Sequence, residues 1–286
     1  MNFSESDLHY VGEVLARAAR EEIMPRFQNL TAAQIHRKTS AFDLVTEADE
    51  AAEALIATAL KAKHPGAIIL GEEGTQRDPG VLKTFGSAGL AFIVDPIDGT
   101  RNFVAGLPLF GVMAAVTIRG EIVASVIHDP ISCDWAYALR NAGAWLERAD
   151  STRIPYHVAS PTPLCMMEGV VAPHFLPEPQ RTHAYASISK IGSWTLLRCA
   201  AHDYRLAAAG HLHFMLYSRI MPWDHAAGWL LHHEAGGYSA HFDGSPYLPT
   251  HADGGLLCAP DESSWHAIRA EFLPESVNPI PGRETG

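Results

Sequence analysis

Asp95-Pro96-Ile97-Asp98-Gly99-Thr100 follows directly on the apolar run Leu90-Ala91-Phe92-Ile93-Val94, and this junction decides how the chain is read. Five apolar residues stopping at an acid predict a buried strand whose end opens into a cleft, where ligands of α/β folds usually sit. Carboxylates three residues apart repel one another if nothing lies between them, and a divalent cation removes that repulsion. With oxygen donors alone, the pattern favours magnesium, manganese or calcium over zinc. Gly99 permits close backbone approach, and Thr100 offers a hydroxyl and an N–H. If a helix starts here, its free N–H groups suit a phosphate. By composition alone the same residues also read as an Asp-rich turn bent at Gly99.

Two other stretches repeat the theme. Gly71-Glu72-Glu73-Gly74 follows the apolar run Ala67 to Leu70, and Asp224 in Pro222-Trp223-Asp224-His225-Ala226-Ala227-Gly228 stands near the start of a helix expected over Asp224 to Ala235. Taken singly, the first reads as a solvated loop and the second as a helix N-cap. Taken together, each puts an acid at the end of an apolar element, and such ends can converge. Around them, Leu8, Val11, Leu15 and Ala18 predict an amphipathic helix capped by Ser4 or Ser6 and ending at Pro25. A second helix is expected over Glu47 to Lys63, and a third over Ser193 to Ala209. Phe110 to Ile118 and Glu121 to Ile127 flank Arg119-Gly120, while Asp134 to Arg140 and Ala144 to Glu147 flank Asn141-Ala142-Gly143. These are two hairpins of an antiparallel meander. The proline-rich stretch from about Asp150 divides the chain into an N-terminal α+β subdomain, 1–149, with most of the acids, and a C-terminal α/β subdomain, 150–286. The tail after Pro274 reads as loosely ordered.

Composition narrows the chemistry. The 286 residues carry 21 Lys and Arg against 32 Asp and Glu, a net charge of -11. Such a chain repels nucleic acid phosphate, so no nucleic-acid partner is expected. If it handles an anion, it needs local positive charge, which bound cations supply. Cys133, Cys165, Cys199 and Cys258 form no CxxC pair, which fits reduced thiols in the cytoplasm. Met1 to Asp7 carry acids and no base, so no secretory leader is expected. No apolar run is long enough for a membrane span. No serine or cysteine sits in a nucleophile motif such as GxSxG.

Glu72 in GEEG, Asp95 to Thr100 in DPIDGT and Asp224 in WDHAAG, in this order, resemble the inositol monophosphatase family of lithium-sensitive, magnesium-dependent phosphatases. Lys38 to Asp49, KTSAFDLVTEAD, is similar to the family's upstream segment, and Gly192-Ser193 to a further short element. The resemblance covers roughly Lys38 to Gly237. It implies an α/β (α+β) fold, a layered αβαβα sandwich of the inositol monophosphatase and fructose-1,6-bisphosphatase type, commonly a homodimer. It further implies Mg2+ held by Glu72, Asp95, the Ile97 carbonyl, Asp98 and Asp224. Gly99 and Thr100 would contact the phosphate, while Thr100, supported by Asp49, and Glu72 would orient the attacking water. The implied activity is hydrolysis of a small phosphorylated substrate, inositol phosphate or alternatively histidinol phosphate, fructose bisphosphate or 3'-phosphoadenosine phosphate. The other class is a non-catalytic metal- and phosphate-binding protein on the same scaffold.

One position bears on the substrate. Family members acting on inositol monophosphate carry a glutamate seven residues before the WD aspartate, where this chain has Tyr217, with Arg219 nearby. A neutral, bulkier side chain there, with Arg219 to meet a second anionic group, implies a substrate other than plain inositol 1-phosphate, one with an amine, a ring or a second phosphate; the alternative is that the loop shifts and another acid does the same work. His232-His233-Glu234 is read as packing, because adjacent helix residues point apart. His202-Asp203-Tyr204-Arg205 is read as a helix-surface charge cluster, or as an acid and bases that meet a substrate.

Overall fold

The computed structural model describes residues 3–37 and 44–274. Helix α1, Glu5–Ala18, begins at Ser4, whose hydroxyl accepts the Asp7 N–H while the Asp7 carboxylate accepts the Ser4 N–H. This reciprocal pair satisfies two orphan donors of the first turn. The helix passes at Ala19–Ile23 into a wider π turn before Pro25. Strands β1, Ile35–Arg37, and β2, Leu44–Thr46, pair antiparallel. Helix α2, Glu47–Lys63, follows at once, capped by Thr46. Then come β3, Ile68–Gly71; α3, Glu72–Arg77; β4, Ala91–Asp98; α4, Thr100–Val104; β5, Gly111–Ile118; β6, Glu121–Asp129; β7, Asp134–Leu139; β8, Gly143–Glu147; and β9, Arg153–Pro155. The second half runs β10, Glu168–Val171; α5, Gln180–Ser187; β11, Ser193–Thr195; α6, Ala200–Ala208; β12, Phe214–Tyr217; α7, Pro222–Glu234; β13, Tyr238–Ala240; β14, Leu256–Ala259; and α8, Glu262–Phe272.

Strands β3 to β9 form one sheet in chain order, parallel between β3 and β4 and antiparallel from there on. The expected meander is therefore present, and the sheet runs on to Pro155. At the first hairpin Arg119 and Gly120 both take positive φ, 52° and 83°, as a tight right-twisted hairpin requires. The second sheet has the order β11-β10-β12-β14-β13.

Alternation along β4 explains the layers. Phe92 and Val94 pack with Leu8, Val11 and Leu15 of α1 and Ala52 and Ile56 of α2. Ala91 and Ile93 face the other way, onto Tyr204 of α6 and Leu230 of α7. Those helices in turn pack on Val170, Met215 and Cys258 of the second sheet. Its far face, through Phe214, Leu216 and Leu257, meets Ala184 of α5 and Trp265 and Ile268 of α8. The result is the αβαβα sandwich, with both sheets covered on both faces and hence strands that read as nearly continuous apolar runs.

Two expectations change. The helix expected over Ser193 to Ala209 is instead edge strand β11, a connection, and α6 from Ala200. Arg198 takes a left-handed φ of 57°, which an α-helix cannot continue through. His202 to Arg205 is no surface cluster: Asp203 and Tyr204 are buried, and Arg205 pairs with Asp134 of β7. The tail after Pro274 lies outside the described residues, as does Lys38 to Asp43. No helix among the described residues is long and apolar enough to cross a membrane.

Candidate active site

The ends of three elements meet at one cavity of about 150 Å3, lined by Leu44, Glu72, Asp95, Ile97, Asp98, Gly99, Thr100, Arg101, Arg198 and Asp224. Strands β3 and β4 are parallel neighbours with Gly71 opposite Val94, so the next residues of each, Glu72 and Asp95, come side by side. A regular strand would aim Asp95 and Asp98 at opposite faces, since side chains alternate. The pairing with β5 is regular through Asp95 and Met113, slips, and resumes at Asp98 and Gly111. Pro96 lies within the slip, where a missing N–H breaks no ladder bond. This bulge turns Asp98 to the side of Asp95, toward the middle helical layer, where its carboxylate accepts the Ala201 N–H at 2.6 Å and the Cys199 thiol at 3.0 Å.

Helix α7 supplies the remaining acid. Met221 is its N-cap and Pro222 its first residue, so Asp224 is not the cap that a single-motif reading offers. Asp224 is free to face the cavity from inside the first turn. His225 beside it is neutral, its pKa lowered to about 4 by burial. The Tyr204 hydroxyl lies 3.1 Å from one ring nitrogen, and the Arg219 carbonyl 3.2 Å from the other. Gly228 lies flat against the Tyr204 ring, leaving no space for a side chain.

Charge is concentrated here. Burial, then the nearness of Glu72 and Asp98, holds the Asp95 carboxyl well above the usual carboxylate range. Burial raises Asp98 too, against the pull of the Ala201 N–H and the Cys199 thiol. Asp224 is raised by burial and by Glu72 and Asp98, with Arg219 acting in the opposite direction. Buried like charges of this kind need cations or protons to coexist. Among the described residues no three side chains stand in a ready-made coordination shell, and Asp95 and Asp98 each give one oxygen to a backbone N–H, of Ile97 and Ala201. The donor set, four carboxylates and the Ile97 carbonyl around one cavity, nevertheless fits a hard divalent cation.

Thr100 starts α4 behind Gly99, whose φ of 91° is left-handed and whose Cα faces the Leu109 carbonyl too closely for a Cβ. The Thr100 hydroxyl reaches the Ile97 carbonyl at 2.9 Å and Asp49 Oδ1 at 3.3 Å. Asp49 is held in turn by the Thr46 N–H and hydroxyl, at 2.8 and 2.6 Å. All the predicted metal, phosphate and water-orienting residues thus gather in one place, with Asp49 behind Thr100.

Tyr217 does not gather with them. It lies inside, 8% exposed, on β12, and its hydroxyl donates to Asp203 Oδ2 at 3.0 Å. The expectation that it touches substrate is corrected: burial commits its one donor to Asp203. Gly192-Ser193 is likewise not at the site; both N–H groups donate to the Met167 carbonyl along the sheet edge, and Cys199 and Ala201 reach Asp98 instead. The sequence reading missed Glu53, whose carboxylate accepts the Glu73 and Gly74 N–H groups at 2.7 and 2.6 Å and so anchors α3. Its spacing of four from Asp49 on one helix was the available signal. Arg101 and Arg198 were missed as well, and no pattern marked them.

The sequence model of the inositol monophosphatase family matches residues 5–277. Nus factor SuhB of Vibrio cholerae is 33% identical over 248 residues, covering 83% of this chain and 87% of its own. Among solved structures, an IMPase of Thermotoga maritima superposes with a TM-score of 0.77 at 25% identity, covering 94% of this chain and 97% of its own. SaIMPase-II with bound 2'AMP matches with a TM-score of 0.78 at 22% identity, covering 96% and 95%, a likeness of fold.

Proposed function

This chain belongs to the inositol monophosphatase family, and we propose that it hydrolyses a small phosphate monoester with magnesium held by Glu72, Asp95, Asp98, Asp224 and the Ile97 carbonyl. The observation that carries the reading is the β4 bulge, which brings Asp95 and Asp98 to one side, into a cavity shared with Glu72 and Asp224. Bound magnesium would offset the negative charge that makes such esters resist attack and would acidify a water. The chain's own residues do the rest. Thr100 and Gly99 present the first backbone N–H groups of α4, which suit the phosphate oxygens. The Thr100 hydroxyl, fixed between Ile97 and Asp49, and the Glu72 carboxylate orient the attacking water; its proton passes to the Thr100 oxygen as the Thr100 hydroxyl hands its own to Asp49, and the departing alkoxide is protonated by solvent water. Asp95, Asp98 and Asp224 would hold the metal while water is the nucleophile, so the reading implies no covalent phosphoenzyme.

Phosphate release from a panel of monoesters, with magnesium and with excess chelator, tests this. Asp98→Asn keeps the shape and removes a charge, and turnover should fall by orders of magnitude while the fold remains. Full activity of that variant, or of the parent chain in chelator, would sink the reading. Titration with lithium against matched sodium tests the inhibition that family likeness implies. A homodimer, a cytoplasmic location and a lack of nucleic-acid partners complete the proposal. The name Nus factor belongs to the relative. The full acid set with Thr100 and Asp49 favours catalysis here over binding alone.

A further inference from the structure

The cavity that takes the phosphate in this reading is lined by more than acids. Two guanidinium side chains line that cavity among four acids, Arg101 on α4 and Arg198 on the connection before α6. Arg198 is exposed, and among the described residues it makes no ion pair or hydrogen bond. Its root is nonetheless clamped on both sides. The Leu197 carbonyl accepts the Asn102 amide at 2.8 Å, and Cys199 and Ala201 bond Asp98. Its φ of 57° is a conformation that disfavours a side chain, so the backbone there carries strain that a glycine would avoid. An unpaired guanidinium on a strained, anchored backbone beside a phosphate cavity is placed to bind an anion.

Resting on the hydrolytic reading above, we infer that Arg198, with Arg101, recognises a second anionic group, so that the preferred ester carries a further phosphate or a carboxylate besides the phosphate that is cleaved. The cleaved phosphate lies against Gly99 and Thr100, and the second anion reaches back over the mouth toward Arg198. Arg219 adds a third cation near Asp224, its own backbone held by His225.

The test uses matched pairs in the presence of magnesium: glucose 6-phosphate against glucose 1,6-bisphosphate, and glycerol 3-phosphate against 3-phosphoglycerate. In at least one pair kcat/KM should favour the doubly anionic member by about tenfold or more, which a single charge-assisted contact can supply. Which pair responds tells phosphate from carboxylate. Arg198→Gly removes the charge and suits the left-handed backbone; it should abolish most of that preference, and Arg198→Lys should restore part of it. No preference in either pair, or one that survives both Arg198→Gly and Arg101→Ala, would overturn the subsite. Failure to hydrolyse any ester would instead defeat the proposed reaction, and calorimetric binding of the same four compounds would then decide the subsite alone. Binding of a doubly anionic member about tenfold weaker to Arg198→Gly supports it; equal binding overturns it.

Discussion

The carboxylate of Glu53 accepts the backbone N–H of Glu73 at 2.7 Å across twenty residues of sequence, and this bond sets where Glu72 stands. Gly71 comes too close to the Glu53 side chain to carry a Cβ, so the two elements are fitted to each other. Glu53 is a positioning residue, one helical turn beyond Asp49. Glu53→Ala leaves two backbone donors without an acceptor, at about 1–3 kcal/mol each. Urea unfolding should register that loss. Magnesium titrated by calorimetry should bind more weakly to the variant, with Glu53→Gln between it and the parent. Unchanged magnesium affinity in a destabilised variant would leave Glu53 a purely structural role.

Magnesium should stabilise the fold, and more so as pH rises. Burial and mutual repulsion raise Asp95, Asp98 and Asp224, so these acids destabilise the metal-free chain increasingly as pH rises above the ordinary carboxylate range. A cation competes with protons for the same oxygens. Melting temperatures with and without magnesium should therefore differ more at about pH 8 than at about pH 5. An increment that is the same at both would contradict the cation site.

Asp203 makes a separate pH prediction. Burial pushes its pKa up to about 8 from an ordinary 3.8, with the Tyr217 hydroxyl pulling the other way and Asp98 raising it further. Below the unfolded value the group is protonated in both states and costs nothing. Between roughly pH 4 and 8 the unfolded chain ionises more readily, so stability is lost as pH rises through that window. Asp203→Asn cannot ionise and keeps an acceptor for Tyr217. Its urea midpoint should therefore gain on the parent's as pH rises from about 5 to 8. Parallel midpoints would mean that Asp203 ionises in the folded chain as it does in water.

Gly228→Ala should be among the more damaging small changes in the chain. A methyl group there falls inside the ring of Tyr204, which is wholly buried and bonded to His225. Overpacking of this kind costs about 1–3 kcal/mol. Because α7 carries Asp224 at its start, displacement of the helix should also weaken magnesium binding. Thermal unfolding and calorimetry check both effects, and a variant with parent stability would show that the helix can shift freely.

The acids, the strand they end and the hairpins beyond were legible in the sequence because each is a local pattern. An apolar run stops at a carboxylate, and Arg119-Gly120 separates two apolar runs. The family likeness supplied the grouping of Glu72, Asp95, Asp98 and Asp224, which spacing by itself left open. Three things belonged to the tertiary structure. The β4 bulge turns Asp98 round only because β5 offers a shifted partner, and pairing register is a property of two strands. Tyr217 lies behind the site because its side of β12 faces the middle layer, where its hydroxyl meets Asp203 of α6. Arg198 became visible only through what it leaves untouched, and Glu53, marked in sequence only by its spacing from Asp49, gained its role through the distant N–H groups it accepts. Hydrophobic period is written along the chain, whereas the pairing of buried polar groups depends on which distant segments arrive beside them.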